Sequence, residues 1–106
     1  MTDKLHIEHW DHATDGKLTA NNVKRKLERQ GYSCIQYTFC PGTDFPDHTH
    51  EVTKKDAIAS GRLRFSMYGQ EVVLHPGDML EVPARTVHNA SVVGNESVVF
   101  FDSYKS

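Results

Sequence analysis

Beyond Gly31 the chain breaks into short runs of β-branched and aromatic residues: "YSCIQYTFC", "DAIAS", "RLRFSMY", "EVVL", "MLEVP", "VHNASVV" and "SVVFFDSY". Each run has the length of one strand. Between them stand "PGTDFP", "SG", "YGQ", "HPGD", "PART" and "GNE", in which glycine supplies positive φ and proline fixes it. Such signals recur about every eight to twelve residues, the rhythm of strands joined by tight turns. Alternation is clearest in "RLRFSMY", where Leu63, Phe65 and Met67 share one face and Arg62, Arg64, Ser66 and Tyr68 the other. With hardly any helix between the runs, the expected fold is all-β, an antiparallel sandwich or closed barrel. A chain of 106 residues has room for one such domain around one core.

The segment before Gly31 reads differently. "LTANNVKRKLERQG" predicts a helix: Thr19 or an asparagine caps it, Val23 and Leu27 lie four apart on one face, and Gly31 stops it. Its other face, Lys24, Arg25, Lys26, Glu28 and Arg29, reads as solvated rather than as a nucleic-acid patch. Residues 1–32 are therefore expected to form an N-terminal segment packed on a barrel of residues 33–106. The formal net charge of -2 provides no basic field for nucleic acid, so the expected partner is a small molecule. The polar start "MTDKLHIEHWDH" does not resemble a signal peptide, and no stretch approaches the roughly 20 apolar residues of a membrane span. A cytoplasmic location without membrane contact is expected. Cys34 and Cys40 lack CxxC spacing and are expected to stay reduced.

Seven histidines are present, and their spacing matters more than their number. In "PDHTHEVTKK", His48 and His50 are two apart, which on a strand points both imidazoles at one face, within reach of one ion. His88, just after Pro83 and at the start of another strand, can approach that pair from across a barrel. Three neutral imidazoles suit iron, manganese, nickel, copper or zinc and leave coordination positions open. An isolated HxH is more often a pair of solvent-facing loop histidines than a ligand pair. His6, His9 and His12 beside Trp10 are expected to be solvated in an unpinned terminal segment, and His75 to be exposed in a turn. Tyr37, Phe39, Phe65, Met67, Phe100 and Phe101 are core or pocket lining; Arg62, Arg64 and Arg85 are solvated charges or a carboxylate clamp.

Two longer patterns sharpen this reading. Gly42 is followed by five residues, His48, His50, "EVT", Lys54, "KDAIAS" and Gly61. Gly77 is followed by "DMLEV", Pro83, Ala84, Arg85, "TV", His88, "NAS" and Val92. Together they resemble the two motifs of the cupin superfamily of small jelly-roll barrels, over roughly residues 33 to 102. Three positions depart from the family pattern: Lys54 replaces a glutamate, Arg85 a glycine and Val92 an asparagine. The resemblance implies a jelly-roll, or double-stranded β-helix, barrel with a short N-terminal helix, and a divalent transition metal on His48, His50 and His88.

Lys54 conflicts with that site, because an ammonium has no lone pair to give a metal. A lysine cation about 4 Å from a divalent ion would be repelled by about 8 kcal/mol at an effective dielectric near 20. It must therefore face outward, lose its proton, or be compensated by an anion. Asp56, two residues on, is the expected compensator or an oxygen ligand itself; a surface salt bridge is equally compatible. The function expected is a mononuclear metal site acting on a small molecule, oxidatively in the manner of a dioxygenase, with Lys54 as anion anchor or proton donor and Asp56 as its partner. The alternative is a ligand-binding module without catalysis. An uncovered barrel edge leads to the expectation of a homodimer.

Overall fold

The computed structural model describes residues 3–105. The outermost residues of the two expected segments, 1, 2 and 106, lie outside the described residues. In chain order the elements are β1 (Ile7–Glu8), α1 (His12–Asp15), α2 (Ala20–Arg29), β2 (Tyr32–Phe39), β3 (Asp44–His48), β4 (Lys54–Ser60), β5 (Leu63–Met67), β6 (Gln70–Leu74), β7 (Met79–Val82), β8 (His88–Val92) and β9 (Val98–Lys105). They form a five-stranded sheet, β1-β7-β4-β9-β2, and a four-stranded sheet, β3-β8-β5-β6. Every strand pairing among the described residues is antiparallel, as a jelly roll requires.

Strand periodicity decides what each sheet buries. In β4, Ile58 faces the space between the sheets with Phe65, Leu74, Leu80, Val82 and Val98, while its neighbour Ala57 faces the other way. Fully burying a residue such as Phe65 or Leu80 contributes roughly 1.5–3 kcal/mol, so this layer is the main stabilising core. Leu63, Phe65 and Met67 are all buried, as their alternation predicts.

The helix lies on the outer face of the five-stranded sheet. The Thr19 hydroxyl accepts from the Asn22 amide at 3.1 Å, and Val23 and Leu27 are fully buried against Ala57, Met79 and Phe101. The basic face is only partly solvated: Lys26 is buried, its Nζ 2.7 Å from Asp15 and 3.2 Å from Glu8, above the Trp10 ring. Those contacts, with Lys55 on Glu8 at 2.9 Å and Ile7 paired to Leu80, pin the N-terminal segment that the sequence left loose. Gly77 explains its own identity. It has φ 89°, and a Cβ there would lie 2.5 Å from the Cβ of Trp10.

The sequence reading missed β3, because "TDFPDH" carries the residues of a turn. β3 is an edge strand, where Pro46 forfeits no ladder hydrogen bond, and the register shifts between Phe45 and His48. No helix among the described residues is long and apolar enough to cross a membrane.

Candidate metal centre

The three histidines of the two motifs meet. His48 ends β3 and His88 begins β8, and the two are direct cross-strand partners. His50 is not on a strand, as the HxH spacing suggested, because β3 stops at His48. Its loop is tied down from the β7–β8 turn: the Arg85 amide donates to the His50 carbonyl at 2.7 Å, and the Ala84 amide to the Thr53 hydroxyl at 3.1 Å. Arg85 makes that bond with φ 58°, the left-handed region that explains why a glycine suits this position. Ring centroids lie 4.1 Å apart for His48 and His88, 4.9 Å for His48 and His50, and 5.0 Å for His50 and His88. One potential ligand atom from each ring lies within 4.8 Å of the others.

The donor set fits a metal. His48 Nδ1 is 2.7 Å from the Pro46 carbonyl oxygen and His88 Nδ1 is 2.9 Å from that of Thr86. A carbonyl can only accept, so both Nδ1 atoms carry the proton and each Nε2 keeps a free lone pair. Burial first, then the Lys54 cation and the other two histidines, hold His50 below the usual histidine range. Burial likewise lowers His88, helped by His48 and Lys54 and opposed by the Thr86 hydrogen bond. Both rings are therefore neutral near pH 7, the form that binds metal. Tetrahedral bonds of about 2.0–2.1 Å would set the three nitrogens about 3.3 Å apart, a modest contraction of the observed cluster.

The histidines stand in a cavity of about 210 Å³ between the sheets. Its apolar wall is Tyr37, Phe39, Phe45, Phe65, Ala90 and Phe100, and Asp56 and Asp102 supply the remaining polar surface. Of the apolar residues named from sequence as core or lining, Met67 and Phe101 do not line it. Met67 packs in the core, and Phe101 faces the helix. Arg64 lies outside the cavity on Ser91, Asn89 and Glu71. His75 is exposed, and His9 bonds Asp78 at 2.7 Å.

Lys54 faces inward, and its expected partner is corrected. Its Nζ lies 2.9 Å from Asp102 Oδ2, with side chains 19% and 23% exposed. Asp102 in β9 sits directly opposite Asp56 in β4 and diagonal to Lys54, so the ammonium takes the neighbouring strand's carboxylate. Sequence reasoning missed Asp102 because it lies 48 residues from Lys54, and only the sheet register joins them. No group among the described residues hydrogen-bonds the Asp56 carboxyl, whose accessible side is the cavity. Burial first and Asp102 second push its pKa up to about 7, with Lys54 opposing.

Solved structures place this architecture among known barrels. KdgF from a Halomonas species is 22% identical with a TM-score of 0.61, covering 72% of this chain and 71% of its own. A cupin superfamily protein from Desulfitobacterium hafniense is 13% identical over 99% of this chain and 80% of its own, with a TM-score of 0.61. The DMSP lyase DddQ from Ruegeria pomeroyi is 19% identical with a TM-score of 0.64, covering 72% of this chain but 39% of its own. At these identities the likeness is one of fold. No curated protein matches the chain. The cupin-domain family model matches residues 36–104, from β2 through β9, and with both motif histidine groups in place the chain belongs to the cupin domain family.

Proposed function

We propose that this protein is a metal-dependent enzyme acting on a small molecule, its ion carried by His48, His50 and His88. The observation that supports it is the convergence of three imidazoles, two with their Nδ1 atoms on backbone carbonyls and their Nε2 atoms left free, on a cavity walled by aromatic rings. Bound there, a divalent ion (iron, manganese, nickel, copper or zinc) supplies Lewis-acid polarisation of a substrate oxygen and, if iron, dioxygenase-like oxidation. The aromatic wall holds the carbon skeleton and keeps water out. Lys54, fixed by Asp102, is the cation that meets an anionic group, and Asp56 presents a carboxyl to the substrate. At about 210 Å³ the cavity is below the usual range of about 300–1,000 Å³, which favours a small substrate. The protein is further proposed to act in the cytoplasm as a homodimer formed along the β2 edge, where Ile35 and Tyr37 are exposed.

Elemental analysis of untagged protein tests the reading, repeated on His48→Ala, His50→Ala and His88→Ala. One ion per chain, lost in each variant, is expected. Protein that neither carries nor takes up stoichiometric metal refutes it. Metal without dioxygen uptake on chelating acids or diketones removes the oxidative form.

A further inference from the structure

The two carboxyls of the cavity are not equivalent, and the difference lies in what each touches. On the inner face of the five-stranded sheet, one row runs Ile35, Asp102, Asp56, Leu80, Ile7. Two acids sit side by side in central strands with apolar neighbours at either end. Like charges directly opposite one another destabilise a sheet, so the pair works against the fold unless one member gives up its charge. Lys54 settles which. It binds Asp102 and leaves Asp56 without a hydrogen bond among the described residues, open to the cavity that also holds the three histidines.

We infer that Asp56 is the acid–base residue of this site, exchanging a proton with a carbon atom of a small carbonyl compound, and that Asp102 and Lys54 form the fixed ion pair that keeps it free to do so. This rests on the metal-dependent reading above and narrows it to a reaction class. As a carboxylate, Asp56 removes a proton from the carbon beside a carbonyl whose oxygen lies toward the imidazoles. The C–H electron pair becomes a C=C bond, and the carbonyl π pair moves onto oxygen. The carboxylic acid so formed returns its proton to the same carbon, restoring the carbonyl compound with its hydrogen exchanged, or to the oxygen, giving an enol. No electrons are gained or lost and no co-reactant is consumed.

Geometry and protonation agree. A group that must both take and give a proton works best when both forms are populated at the working pH. Burial brings Asp56 into that range, and Asp102 adds to the effect. The titratable groups around it are Lys54 on its own strand, Asp102 on β9, Tyr37 on β2, and His48, His50 and His88 toward the other sheet. Pairs of acids driven apart in this way are how one site holds an acid and an anion together.

The test has two arms. In metal-free protein labelled with ¹³C at aspartate, the Asp56 carboxyl is expected to titrate near neutrality, and Asp102→Asn, by removing a like charge and freeing Lys54, moves its midpoint down. A midpoint in the ordinary aspartate range, or one unmoved by Asp102→Asn, overturns the inference whether or not metal binds. In the second arm, protein shown to carry its ion is incubated in D₂O with pyruvate, 2-oxobutyrate, acetylacetone and glyceraldehyde, and exchange of the C–H beside the carbonyl is followed by ¹H NMR. Exchange of at least one probe is expected, with a loss of about 100-fold or more in Asp56→Asn at unchanged metal content. No exchange with any probe, or equal exchange in Asp56→Asn, overturns it. Absence of metal defeats the earlier reading alone, since the first arm needs no ion.

Discussion

Replacing Asp56 by asparagine should make the protein more stable, and by an amount that depends on pH. Burial and the facing Asp102 raise the Asp56 pKa from 3.8 to about 7. Between those values the folded protein holds a proton that the unfolded chain has released, so each pH unit removes about 1.4 kcal/mol of stability. The sign follows from the direction of the shift. Ionisation of Asp56 costs the fold nothing below about pH 4, and the penalty accumulates until pH passes about 7. Roughly three units give a total near 4 kcal/mol. Asparagine keeps the shape and cannot ionise, but its buried amide forfeits on the order of 1 kcal/mol if left without a partner. Urea unfolding of metal-free wild type and Asp56→Asn should therefore give stabilities within about 1 kcal/mol of each other at pH 4.5, diverging to about 3 kcal/mol in favour of the variant at pH 8. All other ionisable groups are common to the two proteins, so the difference isolates position 56. A gap that stays constant across this range, or a variant weaker than wild type at pH 8, would refute the reasoning. A residue that strains the fold in this way is characteristic of a functional site.

Two other substitutions probe the surroundings. Lys54→Met strands the Asp102 carboxylate beside Asp56; the pair is mostly shielded, so the loss should fall between the surface and fully buried cases, at about 2 kcal/mol by urea unfolding at pH 8. Full tolerance at pH 8 would mean that the ion pair is not formed in solution. Arg85→Gly should raise stability by about 0.5–1 kcal/mol, because glycine adopts φ 58° without a Cβ clash at the turn that holds His50. A loss of more than about 1 kcal/mol would show that the Arg85 side chain makes a stabilising contact.

What the sequence disclosed, and what it did not, divides by the range of the interaction. The strands from β4 to β9 and the Thr19-capped helix are local consequences of alternation, glycine turns and capping, and they are legible residue by residue. The three histidines were legible because two spaced motifs carry them, although the strand placement of His50 was wrong and the rings converge through the Arg85 and Thr53 ties instead. β3 was hidden because Asp44, Pro46 and Asp47 favour turns, and edge position and tertiary pairing override that preference. Asp102 had no local signal at all. Its meeting with Lys54 and Asp56 depends on the register of β9 against β4, which no spacing within "SVVFFDSY" reveals. The charge of Lys54 left three outcomes open, an outward side chain, a lost proton or a compensating anion, and the Asp102 contact is the third. Choosing between Asp56 and Asp102 required the diagonal geometry of the sheet.

The most direct test of the account is anomalous scattering at the metal edges from crystals of untagged protein loaded with a divalent transition ion. One peak is expected, within bonding distance of Nε2 of His48, Nε2 of His88 and a ring nitrogen of His50, with Asp56 left uncoordinated. A peak elsewhere, or loaded crystals with no peak among these three rings, would contradict the claim on which the proposed chemistry stands.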